Sequence, residues 1–215
     1  MKPIKVSLVS GSPKPLSSSS EALLESLRIK LSSHFLVNLF NLNKTSMPEE
    51  SLASIMESDI LVLSFPLYVD GIPSHLLNCL FEMEKHLKRY AGTDMTVYAI
   101  VNCGFFEGQQ ALPALEMVKN WCVKAGVSWG QGLGVGGGGM IQNLASVPDG
   151  QGPKKNFSMA LDQLASNINA GSEGENLYIS PNFPKIGYKI GAEMGWRHQI
   201  KMNGLSKRDL NRRLV

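Results

Sequence analysis

The chain has 215 residues, 43% of them hydrophobic and 18% charged, which supports one globular domain, or a domain with an appendage, and excludes disorder over most of its length. The net charge of +3 hides an asymmetry, because residues 182–215 hold eight Lys or Arg against Glu193 and Asp209, leaving thirteen basic and sixteen acidic residues in 1–181. No apolar run reaches the ~18–20 residues of a membrane helix, the first nine residues are too short for a signal-peptide core, and the cysteines and histidines lack metal-like spacing. A cytoplasmic protein without disulfides, iron–sulfur cluster or structural zinc is therefore expected.

Strand-length apolar runs alternate with segments of helical period. Residues 4–10 read as a buried strand, and 20–31 as a helix with Leu23, Leu24, Leu27 and Leu31 at helical spacing behind a Ser-rich entry. The pattern then predicts a strand over 35–40, a short helix over 48–56, a strand over 59–64 and a long helix over 73–88 with Pro73 in its first turn. Further on come a strand over 96–101, a helix over 110–125 closed by Gly126, a strand over 127–135 and a helix over 157–169. The polar, Gly-containing stretch 171–182 reads as a linker. Beyond it, 184–203 sets Ile186, Ile190, Met194 and Trp196 among Lys and Arg in an amphipathic helix ended by Gly204, and Ser206 caps a second short helix running to Leu214.

Five strands alternating with helices imply an α/β fold with an open parallel sheet covered on both faces, since parallel neighbours need crossovers and those are right-handed. Periodicity does not give the strand order. For five strands the order 2-1-3-4-5 leads; it reverses direction between the first and third strands, so that the loops after them flank a crevice at the C-terminal edge of the sheet.

The first of these loops, 10–20, is rich in hydroxyls and sits between a strand and a helix, where free backbone N–H groups and the helix dipole attract an anion. It lacks the Gly-Lys-Ser/Thr ending of a triphosphate loop and the Gly-x-Gly-x-x-Gly of a dinucleotide loop, and so suits a single terminal phosphate; a solvated Ser-rich cap is the plainer alternative. After the third strand, Pro66-Leu67-Tyr68-Val69-Asp70-Gly71-Ile72-Pro73 forms a stiff turn presenting an aromatic, suited either to a flat ring or to capping the core. After the fourth, Asn102-Cys103-Gly104-Phe105-Phe106 brings an amide and aromatics to the same edge, with Asn102 able to read a ring and Cys103 a small buried residue. The run from Gly134 to Gly139 matches Gly-x-Gly-x-x-Gly but follows the last strand, with no acidic residue about twenty positions on; it reads as a hinge before a lid over 140–154.

These loops resemble those of the flavodoxin-like NAD(P)H-dependent FMN reductase and quinone reductase superfamily. Gly-Ser-Pro-Lys with the following Ser run resembles its phosphate loop, Pro-Leu-Tyr-Val-Asp-Gly-Ile-Pro-Ser its flavin-edge loop, and Asn-Cys-Gly-Phe-Phe-Glu its third loop. The motifs fall within residues 4–110, and the likeness of fold extends to about residue 170. The resemblance implies a flavodoxin-like three-layer sandwich over 1–170, the linker 171–182, and a basic helical extension over 183–215. Carried over residue by residue, it implies that Ser12, Ser18, Ser19 and Ser20 hold the phosphate of FMN with help from Lys14. Pro66, Leu67, Tyr68, Val69, Asp70 and Gly71, with Asn102, Cys103, Gly104, Phe105 and Phe106, then surround the isoalloxazine. The compact cysteine motif with which some relatives hold an iron–sulfur cluster is missing.

The implied activity is hydride transfer from NAD(P)H through FMN to a quinone, flavin or similar small acceptor, with no metal and no required side-chain acid or base, so no catalytic residue is assigned. A flavodoxin-type electron carrier would use the same site without nicotinamide. Carriers tend to be shorter and strongly acidic, whereas this body is mildly acidic and its tail basic. The expected partners are the small-molecule acceptor and a second copy of the chain, the tail docking through Ile186, Ile190, Met194 and Trp196 across that homodimer interface. Neither nucleic acid nor membrane is expected, because aromatic residues are sparse among the basic ones.

Overall fold

The computed structural model describes residues 3–211 apart from 16, 34, 90–93 and 145. Strands β1 (Ile4–Ser10), β2 (Phe35–Asn41), β3 (Ile60–Pro66), β4 (Thr96–Asn102), β5 (Ser128–Val135) and β6 (Leu177–Ile179) form one parallel sheet in the order β2-β1-β3-β4-β5-β6. The connections carry helices α1 (Ser19–Arg28), α2 (Glu49–Met56), α3 (Ser74–Arg89), α4 (Leu112–Ala125) and α5 (Lys155–Ala170). The result is a flavodoxin-like sandwich with its reversal between β1 and β3.

Alternation along the strands builds two cores. Val9, Leu61, Leu63, Phe65, Val97, Ala99 and Val101 face α2, α3 and α4, whereas Val6, Leu8, Ile60, Val62, Tyr98, Ile100, Leu133 and Val135 face α1 and α5. At the C-terminal ends the second set turns polar: Ser10, Ser64 and Asn102 continue the even-numbered positions of their strands on the α1 side. The sheet therefore ends in a polar row beside the start of α1.

The stretch 171–182 is not a plain linker, because its Leu177-Tyr178-Ile179 extends the sheet by a sixth strand paired with Leu133, Gly134 and Val135. Polar side chains, with Gln131 fully buried among them, hold it there. Gln131 Nε2 donates to Glu175 O at 2.7 Å, Asn167 Nδ2 donates to Gln131 Oε1 at 2.9 Å, and Gly132 N donates to Asn176 Oδ1 at 2.9 Å. A three-residue strand in polar surroundings leaves too little alternation to be read from sequence.

The glycine run after β5 is bonded to β6 and to the third loop instead of forming a free hinge. Gly136 N donates to Ile179 O at 2.9 Å, Gly137 N to Phe105 O at 2.6 Å and Gly138 N to Cys103 O at 2.7 Å. A Cβ at Gly136 would stand 2.1 Å from Phe106 O, so only glycine lets these two backbones meet. The 140–154 segment is likewise structured, with 3-10 turns at Gly138–Leu144 and Gly152–Lys154.

The chain divides into two compact units, Met1–Pro181 and Asn182–Val215. The second contains α6 (Lys185–Met202), with an Arg197 to Glu193 ion pair of 2.7 Å, and a 3-10 turn at Lys207–Asn211 in place of the predicted second helix; residues 212–214 of that prediction lie outside the described residues. Ile186, Ile190 and Met194 fall in one row along α6. Trp196 lies roughly 80° from Ile186 on the other side of that row, so the four span an arc of roughly 160°.

Replacing Gly136 with Ala should cost about 1–3 kcal/mol of stability, because the carbonyl it meets belongs to the backbone and cannot rotate away. Urea unfolding of the variant checks this.

Candidate functional site

The anion loop begins where β1 ends. Gly11 N donates to Ser64 O at 2.8 Å, which turns the chain toward α1. Ser18 caps α1 in extended geometry (φ −95°, ψ 155°) in a reciprocal capping box: Glu21 N donates to Ser18 Oγ at 3.1 Å, and Ser18 N donates to Glu21 Oε2. That box satisfies two of the orphan donors of the helix start and leaves the N–H groups of Ser19 and Ser20 without intrahelical partners.

The hydroxyls divide in the same way. Ser12 Oγ accepts from Lys14 N at 3.3 Å, Ser18 Oγ from Glu21 N, and Ser20 Oγ from Asn102 Nδ2 at 2.8 Å. A serine hydroxyl that accepts from the protein still has its own proton to give, so these three buried serines retain donors. Ser19 differs, since its hydroxyl donates to Gly138 O at 2.7 Å.

The second loop is a two-residue β-hairpin. Tyr68 and Gly71 exchange N–H to O bonds of 3.1 and 3.0 Å, and the central residues Val69 and Asp70 both have positive φ, 47° and 57°. Asp tolerates that region, but a β-branched Val is strained there, and its side chain is fully exposed at the tip. Tyr68 stands half exposed beside it.

Asn102 ends β4 with its amide buried. Its Nδ2 donates both to Ser20 Oγ and to Phe65 O, the latter at 3.1 Å, while its backbone O accepts from Leu67 N at 2.8 Å. One residue thereby ties together the end of β3, the second loop and the start of α1. Because both amide protons are committed, Asn102 positions the loops and donates none of them to a ring. The N–H groups of Leu67, Tyr68, Gly71 and Cys103 are also bonded within the protein.

These pieces surround one cleft of about 210 Å³. Ser12, Lys14, Ser18, Ser19 and Ser20 line one end, and Pro66, Leu67, Tyr68, Asn102, Cys103 and Gly104 complete the wall. Val69, Asp70, Gly71, Phe105 and Phe106, expected at the site, are not among its lining residues. Gly138 and Gly139 do line it and were missed as site residues; the signal was the glycine run itself at the C-terminal edge of a core strand. A Cβ at Gly138 would lie 2.9 Å from Cys103 O and 3.1 Å from Asn102 Oδ1, which fixes this wall tightly against the third loop.

All three thiols are buried. Burial raises the Cys103 pKa, partly offset by a hydrogen bond from the Phe105 backbone and reinforced by Glu107, and burial pushes Cys79 and Cys122 up to about 11 and about 12. Cys103 thus forms wall, not nucleophile. Among the described residues, no group of three or more His, Cys, Asp or Glu could hold a metal ion, and no helix is long and apolar enough to cross a membrane.

No family model and no curated protein matches the sequence. Solved structures do match. The chain is similar to the apo form of an NADH:FMN oxidoreductase, EMOB, with TM-score 0.59 and 15% identity over 80% of this chain and 91% of that one. It is also similar to an NAD(P)H:quinone oxidoreductase from Methanothermobacter marburgensis (TM-score 0.57, 14% identity, 77% and 96% of the two chains). A third is a flavodoxin from Streptococcus pneumonia TIGR4 (TM-score 0.53, 14% identity, 78% and 99%). At such identities the likeness is one of fold: the first unit of this chain is flavodoxin-like.

Two measurements probe this geometry. Val69→Gly should stabilise the chain by about 0.5–1 kcal/mol in urea unfolding, since relief of ~1–2 kcal/mol of left-handed strain exceeds the ~0.5–1 kcal/mol that glycine loses through unfolded-state freedom. With all three thiols protonated and covered, the native chain at pH 8 should react with a disulfide reagent at least about tenfold more slowly than the urea-unfolded chain.

Proposed function

We propose that the chain binds FMN in this cleft and acts as an FMN-dependent oxidoreductase, taking hydride from NAD(P)H and passing the electrons to a quinone, a flavin or a similar small acceptor. The observation that carries the reading is the make-up of a single cleft, which joins a hydroxyl-rich end at a helix N-terminus to an end walled by Pro66, Leu67, Tyr68 and Gly104. A phosphate monoester on a flat ring has that same division.

The residues fit the group. At the phosphate end, Ser12, Ser18 and Ser20 offer hydroxyl protons, Ser19 and Ser20 offer backbone N–H groups, and Lys14 and the α1 dipole supply positive charge. At the ring end, Pro66 and Leu67 give apolar contact, and half-exposed Tyr68 offers an aromatic face at the mouth. When bound, FMN would supply the redox chemistry. Asn102 would keep Ser20 and the second loop in place around it, and the third-loop wall, sealed against Gly136 to Gly138, would keep water from that side. The named activities of the two oxidoreductase neighbours support this reading as an analogy of fold.

FMN titration tests the site: flavin fluorescence should change on binding. Ser12→Ala, which removes a charge-assisted donor while disturbing only one 3.3 Å bond, should weaken binding by about tenfold or more. Unchanged fluorescence for the native chain would refute the assignment. Anaerobic mixing of the FMN-loaded protein with NADH and with NADPH tests the reaction. Bleaching by either, followed by reoxidation on adding a quinone, is expected; a flavin left oxidised by both but reduced by a partner reductase would make the protein a carrier.

A further inference from the structure

Four serines line the anion end of the cleft, yet only one of their hydroxyl protons is spent on the protein. Ser19 gives its proton to Gly138 O at 2.7 Å. Close by, Gln142 Nε2 donates to Ser17 O, and Ser17 reaches that position through a left-handed turn (φ 53°). Both bonds join the anion loop to the 3-10 turn Gly138–Leu144, whose Gly138 and Gly139 wall the cleft next to Ser18, Ser19 and Ser20.

The rest of that connection is anchored elsewhere. Upstream, Gly137 N and Gly138 N are bonded to the third loop. Within the turn Met140 and Ile141 pack against the core under α1 and α5, and beyond them Leu144 is buried and Val147 packs against the same core. Asp149 then pairs with Lys154 at 2.7 Å and Lys30 at 3.7 Å, and Gly150 N donates to Ser158 Oγ at 2.9 Å. Beside these apolar contacts, the two polar side chains Ser19 and Gln142 fasten the turn to the anion loop.

We propose that residues 138–144 form a strap latched across the anion end of the cleft, and that Ser19 and Gln142 are positioning residues that set how fast a phosphate-bearing ligand enters and leaves. The inference rests on the FMN reading above, because it concerns exchange at that same site. It assigns Ser19 a role different from that of its neighbours: Ser12, Ser18 and Ser20 face the anion with available protons, whereas the proton of Ser19 holds the strap. Opening the strap breaks the same bonds for a ligand that arrives and for one that departs. Weakening the latch therefore speeds both steps and leaves their ratio nearly unchanged.

Stopped-flow fluorescence with FMN and the full chain tests this, comparing the native protein with Ser19→Ala, Gln142→Ala and Ser12→Ala. Each latch variant should raise the association and dissociation rates together by about 2- to 10-fold, with Kd held within about twofold, whereas Ser12→Ala should raise Kd through dissociation alone. Amide hydrogen exchange on the ligand-free proteins supplies a readout independent of flavin: residues 139–144 should exchange faster in both latch variants. A Ser19→Ala protein with raised Kd and unchanged association would make Ser19 an anion ligand and overturn the proposal. Faster amide exchange with unchanged FMN rates would show that the strap does not gate, and unchanged amide exchange that there is no latch. Failure of the native chain to bind FMN would overturn the site assignment, and the gate with it, while the amide exchange would still decide whether Ser19 and Gln142 hold the strap.

Discussion

The site depends on one buried amide. Asn102 sits at the last position of β4, on the α1 side of the sheet, and its Nδ2 reaches both Phe65 O and Ser20 Oγ. Leaving a buried donor without a partner costs ~1–3 kcal/mol, so the amide enforces the approach of β3, β4 and α1 at their common edge. The backbone of the same residue holds Leu67, and through it the start of the second loop. Removing this node would leave the apolar layers intact while releasing the relative placement of three loops.

A second consequence is orientation. Because Asn102 donates to Ser20 Oγ, the hydroxyl of Ser20 cannot satisfy itself by accepting alone, and its proton is directed to another acceptor. Ser18 is held the same way by Glu21 N and Ser12 by Lys14 N. The anion end is thus prepared by hydrogen bonds internal to the fold, so a ligand need not pay to reorganise them. This differs in kind from a loop that wraps a pyrophosphate with glycine backbone, and under the proposed function it accounts for a loop rich in serine and poor in glycine.

Much of this was legible in the sequence. The strands and helices of the first unit follow from long apolar runs of distinct period, and the serine-rich wall of the cleft from its place at a strand-to-helix turn. What escaped was set by contacts that no periodicity records. The sixth strand is three residues long and is held by Gln131 and Asn176, polar side chains whose partners lie more than forty residues away. The glycine run reads as freedom, yet Gly136 is there for a 2.1 Å conflict that any Cβ would meet. Asn102 reads as a ligand donor because its residue type and position fit that task; only the geometry shows its protons already given.

The two ends of the cleft are built to opposite specifications. At the anion end, the capping box, the Asn102 bonds and the Ser19 contact each satisfy a polar group that would otherwise be costly, so the structure there is held by satisfied donors. Beside the other end, next to the half-exposed Tyr68 that lines it, the Val69-Asp70 tip stores left-handed strain at an exposed hairpin turn. Strain in an exposed hairpin can be relieved by small rotations at little cost in buried contacts, whereas disturbing the anion end unpairs buried donors. In the proposed function, that asymmetry matches a cofactor held throughout by its phosphate while successive reactants meet its ring at the yielding mouth of the cleft.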